Sequence, residues 1–230
     1  MKISIIIPCF NEEKTLSKIV DKVLKFKSCE KEIIIVDDCS TDNTANIIND
    51  LVLKFSEIKF TRHEENYGKG AGIKSGIKIS TGDIILIQDA DLEYNPEDYD
   101  SLLEPFIKTD ADVVYGSRFL GGKYVRLSFF WHFIANKLLT TLCNTFTNLN
   151  MTDMETGYKL FKSEAIKSID LKEKSFGIEP EITVKLAKKK YIFFEVPISY
   201  SGRSYDEGKK IGLKDAFRAI YCIIKYRYFD

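Results

Sequence analysis

Asp83-Ile84-Ile85-Leu86-Ile87-Gln88-Asp89-Ala90-Asp91 decides the fold. Its apolar run is too short for a helix, does not alternate with polar residues, and is mostly β-branched. Asp83–Gln88 therefore reads as a strand buried on both faces, as in the centre of a parallel sheet. Working outward towards the N-terminus, Ile3–Pro8 has the same character, and Glu32–Val36 and Ile58–Arg62 read as further strands. Between them lie helical patterns. Glu12–Phe26 carries a stripe of Leu16, Ile19, Val20, Val23 and Leu24. A second helix starts at Ser40 or Thr41 and buries Ala45, Ile47, Ile48, Leu51 and Val52, and Gly72–Ile79 is a third. The order β-α-β-α-β-α-β predicts a mostly parallel, Rossmann-like α/β sheet flanked by helices, with ligands at the carboxyl ends of its strands. Polar clusters fall at those ends: Cys9–Glu13, Asp37–Asp42 and Asp89–Asp98.

Towards the C-terminus the pattern is less regular. Asp112–Tyr115 and Ile192–Val196 read as strands, and Phe176–Lys188 as a helix. Leu127–Phe146 is rich in aromatics but carries His132, Asn136 and Lys137, which predicts an amphipathic helix. Ile211–Phe229 is apolar with a basic stripe. No repeat or linker interrupts the chain, so residues 1–230 are expected to form one domain.

Composition narrows the function. The 34 basic and 34 acidic side chains balance, which argues against a nucleic-acid partner. Five dispersed cysteines without a CxxC pair fit reduced thiols in a cytoplasmic chain. The N-terminus lacks a signal-peptide pattern, and no stretch reaches the roughly 18 apolar residues of a membrane span. The expectation is a cytoplasmic protein, at most peripheral on the cytoplasmic face of a membrane.

The candidate chemistry centres on Asp89 and Asp91. In an extended segment residues two apart share a side, so both carboxylates, with Glu93 continuing the alternation, would face one Mg²⁺ or Mn²⁺ ion. Asp38 of the Asp37-Asp38 pair would bond a ribose hydroxyl or a base N–H, leaving the other acid to cap a helix. Gly68-Lys69-Gly70-Ala71-Gly72 opens a helix and favours close backbone approach. Arg118, Arg126, Arg203 and Lys209 or Lys210 are cations for a diphosphate, Arg118 and Arg203 being favoured by small neighbours. Asp153 and Glu155 are two carboxylates just before Gly157, where a turn leading into the next strand is the alternative reading. His63 and His132 have no catalytic neighbours in sequence and are expected to pack.

Together these residues resemble family 2 glycosyltransferases of the GT-A fold, most closely the dolichyl-phosphate mannosyltransferase and polyprenyl-phosphate glycosyltransferase branch. The matching pieces are Pro8-Cys-Phe-Asn-Glu12, Val36-Asp-Asp38 with Ser40 and Asp42, Gly68–Gly72, Asp89-Ala-Asp-Leu92, Gly116-Ser-Arg118 and Asp153 through Phe161. The resemblance implies a single GT-A type domain, with residues 1–115 serving donor and metal and 116–230 the acceptor. It implies that Pro8, Phe10, Glu12, Val36 and Asp38 cradle the nucleotide. Asp89, Ala90 and Asp91 would meet the diphosphate and metal, with Arg118, Arg203 and Lys209 as further phosphate contacts. Asp153 falls where related enzymes place an acid near the acceptor. Glu93 stands where the mannosyltransferase branch tends to carry an amide or hydroxyl, and the membrane helices of many polyprenyl-phosphate enzymes are absent.

The implied reaction is inverting displacement from a UDP- or GDP-sugar. A polyprenyl or dolichyl phosphate acceptor is already anionic, whereas a hydroxyl acceptor on a glycan needs a base: Asp153, or Glu155 or Glu179 in its place. Two other readings rank lower. A sugar-phosphate nucleotidyltransferase would need a glycine-rich loop where Cys9–Glu13 stands. An inactive donor-binding scaffold would not need the Asp89/Asp91 pair.

Overall fold

The computed structural model describes residues 1–127, 129–203 and 212–230. Among them seven strands form one sheet: β1 (Lys2–Cys9), β2 (Glu30–Asp37), β3 (Ile58–Arg62), β4 (Ile84–Ile87), β5 (Val113–Ser117), β6 (Lys159–Lys162) and β7 (Phe193–Pro197), in the order β3-β2-β1-β4-β6-β5-β7. β1 runs parallel to β2 and β4, β2 to β3, and β5 to β7, while β6 is antiparallel to both neighbours. Ile84, Ile85, Leu86 and Ile87 are all buried, as a central strand requires. Each face of the sheet carries its own core. Ile5, Ile7, Ile33, Ile35 and Leu86 pack to one side, and Ile6, Ile34, Ile85 and Ile87 to the other.

The helices are α1 (Leu16–Lys25), α2 (Thr44–Lys54), α3 (Lys69–Ile79), α4 (Tyr99–Lys108), α5 (Phe130–Thr147), α6 (Ser163–Lys167), α7 (Ile178–Lys188) and α8 (Leu213–Tyr228). α2 starts later than Ser40 or Thr41 because Asp42 accepts the Thr44 N–H at 2.9 Å and so caps the chain there. α3 starts earlier than Gly72, directly after Gly68. That glycine has φ +95°, and a Cβ on it would lie 2.5 Å from the Lys174 carbonyl oxygen, so only glycine fits the turn into the helix. α4, α6 and β6 extend the expected set. None of the described helices is long and apolar enough to cross a membrane.

Candidate functional site

The carboxyl ends of β1, β2 and β4 open into a cavity of about 630 Å³. Its walls include Pro8, Phe10, Glu12, Asp38, Asp89, Ala90, Asp91, Glu93, Arg118 and Arg203, so residues far apart in sequence meet in one place. Val36 and Asp153 lie behind this wall, both wholly buried. Lys209 and Lys210 fall outside the described residues.

The Asp89–Asp91 segment does not continue β4 as an extended strand. The chain turns, Leu92 takes φ +67°, and the carboxylates go to different cations. Asp89 holds the Lys69 ammonium at 2.9 Å, and Lys69 also reaches Glu179 at 3.2 Å. Asp91 takes Arg203 Nη2 at 2.6 Å, and Glu93 takes Arg203 Nε at 3.1 Å and the Tyr200 hydroxyl at 2.7 Å. Burial, then the like charges of Asp89 and Glu93, push the Asp91 carboxyl up to about 7 despite Arg203. No three acidic, histidine or cysteine side chains converge as a ready-made metal cage among the described residues. The chemistry nevertheless fits a hard divalent cation. Oxygen donors are present, and their crowding leaves negative charge that one arginine does not relieve. Asp89 and Asp91, with Glu93 beside them, are the residues that would hold it.

Room for Asp89 comes from Gly157, just before β6. A Cβ there would lie 2.4 Å from Asp89 Oδ2 and 2.8 Å from the Tyr94 ring. The Tyr94 hydroxyl accepts the Gly157 N–H at 2.7 Å, and Gln88 accepts from the hydroxyls of Tyr99 and Tyr158 while donating to the Asp89 carbonyl. This buried network fixes the backbone that carries the acidic pair.

Asp153 is gripped by Arg118. Arg118 Nε and Nη2 donate to its two oxygens at 2.7 Å each, and the Asn136 amide adds a bond at 3.1 Å. Burial opposes the charge of Asp153, but Arg118 outweighs it and holds the carboxyl below its usual range. Removing one partner of such a buried pair costs about 3–5 kcal/mol, since the other charge is left unanswered. Glu195 on β7 accepts the backbone N–H groups of Thr152 and Asp153 and so sets the loop. Next to Asp153, Glu155 Oε1 and Glu179 Oε2 are out of solvent without a hydrogen-bond partner. Burial, then the charge of Glu179, raises the Glu155 carboxyl to about 8.

At the other end of the cavity Asp37 caps a turn, accepting the Ser40 N–H at 2.9 Å and facing Arg62 at 3.3 Å. Asp38 accepts the Tyr67 N–H at 3.0 Å, the Gly68 N–H at 2.7 Å and His63 Nδ1–H at 2.6 Å. His63 thus does more than pack. His132, expected to pack, is part of the cavity wall instead. Lys69, Tyr200 and Asn136 also contact acids of the site, Asp89, Glu93 and Asp153 in turn, and none of the three was a candidate from the sequence. For Lys69 a signal existed in its place between two glycines.

The sequence and the fold have counterparts elsewhere. Residues 4–170 match the profile of glycosyl transferase family 2. Over 98% of its length the chain is 29% identical to a dolichol-phosphate mannosyltransferase of Pyrococcus furiosus, of which it spans 64%. It is 30% identical to an uncharacterized Methanocaldococcus jannaschii protein, with 90% of this chain and 93% of that protein aligned. Glucosyl-3-phosphoglycerate synthase from Mycobacterium tuberculosis, crystallised with Mn²⁺, UDP and glucosyl-3-phosphoglycerate, superposes with a TM-score of 0.73 at 18% identity, covering 98% of this chain and 79% of that one. The same enzyme with Mg²⁺ and UDP gives 0.71 at 19% identity over the same shares. The superposition gives the fold as GT-A, and the profile match over residues 4–170 places the chain in glycosyltransferase family 2.

Proposed function

We propose that the protein transfers a sugar, with inversion, from a nucleotide diphosphate donor to a polyprenyl-type lipid phosphate. The observation that favours this acceptor is the state of the acids. Asp153 is locked by Arg118, which holds its carboxyl below the usual range, burial and the charge of Glu179 raise the Glu155 carboxyl, and Glu179 is paired with Lys69. Asp153, which falls where related enzymes place an acid near the acceptor, is committed to Arg118, whereas a phosphate monoester arrives already anionic and needs no base.

In this reading Pro8, Phe10, Glu12, Val36 and Asp38 seat the nucleoside. Asp89 and Asp91, with Glu93, hold Mg²⁺ or Mn²⁺, which supplies charge stabilisation for the departing diphosphate. Arg118 and Arg203 add positive charge beside the phosphates, joined by Lys209. Asp153 acts through Arg118, fixing the guanidinium's direction by its bidentate grip rather than moving a proton. Residues 1–115 serve the donor and 116–230 the acceptor.

The aromatic start of α5 supports the lipid. Phe119, Trp131, Phe133 and Leu139 line the same cavity as Asp91, while Phe130, Trp131 and Leu127 are largely exposed. An acyl or isoprenoid chain can lie along such a surface while its phosphate enters the polar end. The curated relative from P. furiosus and the phosphate-bearing ligand of the M. tuberculosis enzyme support a phosphorylated acceptor.

The test is a nucleotide-release screen with UDP- and GDP-sugars, with and without a polyprenyl phosphate, in Mn²⁺. Release that requires the polyprenyl phosphate is expected. Turnover with glycan hydroxyls and none with the lipid phosphate would overturn the acceptor.

A further inference from the structure

Asp38 has a limited number of acceptor positions, and the fold uses most of them. A carboxylate offers about four. Three are taken: His63 Nδ1–H at 2.6 Å and the Tyr67 N–H at 3.0 Å on Oδ1, and the Gly68 N–H at 2.7 Å on Oδ2. A carboxylate only accepts, so His63 must carry its proton on Nδ1. Its Nε2 meets Ser75 Oγ at 2.8 Å, which anchors the ring to α3. The His63 backbone N–H is itself tied to the Asp37 carbonyl at 2.9 Å. The ring is thus held at both nitrogens and its backbone at a third point, and it holds Asp38 in one orientation in the cavity wall.

We propose that His63 is a positioning residue which leaves Asp38 one acceptor position for a ligand, and that the site thereby selects a base edge with a single N–H. Uracil presents one such donor, its ring N3–H, flanked by carbonyls. Guanine presents two adjacent donors, N1–H and the exocyclic amine, and a carboxylate that receives them needs both oxygens free. With Oδ1 saturated by His63 and Tyr67, the second guanine donor finds no acceptor on Asp38 and loses its water there without return. The predicted donor class is therefore a UDP-sugar. This rests on the donor-binding reading above.

The experiment is calorimetric titration of the full chain with UDP and GDP in Mn²⁺, for the wild type, His63→Ala and His63→Asn, with a melting curve for each. The wild type should bind UDP at least about tenfold more tightly than GDP, roughly the worth of one net hydrogen bond. His63→Ala should weaken UDP by a similar factor. His63→Asn, whose amide nitrogen takes the place of Nδ1, should restore most of it. GDP binding as tight as UDP by the wild type, which needs no variant to fold, would overturn the inference. So would unchanged UDP affinity in His63→Ala. If the wild type binds neither nucleotide, the donor reading itself fails, a different outcome from either.

Discussion

Asp91 shows how a single buried carboxylate can cost a fold stability. Its folded-state pKa of about 7 lies above the ordinary carboxylate value of 3.8. The folded protein therefore binds the extra proton between those values, and stability falls as pH rises through that window. Asp153 has the opposite sign: its depressed pKa contributes stability above the ordinary value that is lost in acid. Asp91→Asn should accordingly be more stable than the wild type at pH 8 without divalent ions, and should lose the decline between pH 4 and 7. Added Mn²⁺ should raise the melting temperature of the wild type but not of the variant. Thermal melts across pH check both, and equal Mn²⁺ response in the two proteins would remove Asp91 as a cation holder. At this scale the sequence named the acids but not their partners. Lys69 lies 20 residues before Asp89 and Arg203 lies 112 after Asp91, and His63 is 25 from Asp38. Only the folded chain brings them together.

At the scale of elements, what was readable followed from periodicity. The strands and helices up to β4 announce themselves through β-branched runs and apolar stripes. α4 was hidden by Pro105 within it, and β6 by its brevity and by a buried lysine, Lys159, where a strand core would carry an apolar residue. Lys159 is tolerated because the Met154 carbonyl accepts its ammonium at 2.8 Å and the Tyr115 ring lies 4.5 Å away. The extended reading of Asp89–Asp91 failed for a local reason: Leu92 adopts a left-handed conformation and turns the chain. The antiparallel register of β6 against β4, in which Ile87 faces Lys159, sets Gly157 against Asp89. Gly157→Ala should displace that carboxylate and reduce kcat about 100-fold, the typical penalty of a displacement near 1 Å. Circular dichroism should remain native. Full activity in a folded variant would show that Asp89 need not hold its present place.

For the whole molecule, the distribution of exposed apolar side chains is the feature to explain. Leu127, Phe130 and Trp131 at the start of α5 and Phe217, Tyr221, Tyr228 and Phe229 around α8 are at least half exposed, and α5 and α8 pack together. Balanced composition concealed this, because a zero net charge says nothing about where aromatics gather. Trp131 is the sole tryptophan, so its emission reports on this surface. Vesicles containing anionic lipid should shift that emission to the blue and co-sediment the protein, and Phe130→Ser with Leu127→Ser should weaken both. Unshifted emission at high vesicle concentration would count against a membrane-borne acceptor.

The reversed strand has a consequence for how such proteins diversify. Between β5 and β6 the chain makes one long excursion, residues 118–158, departing from one strand and returning on its hydrogen-bonded neighbour. Both ends of that excursion are stitched to the same place, so its middle can be lengthened, shortened or exchanged while Arg118, Asp153 and Gly157, near those ends, keep their contacts with one another and with Asp89. A chimera carrying the 119–150 segment of a relative should keep its appetite for donor and change what it glycosylates.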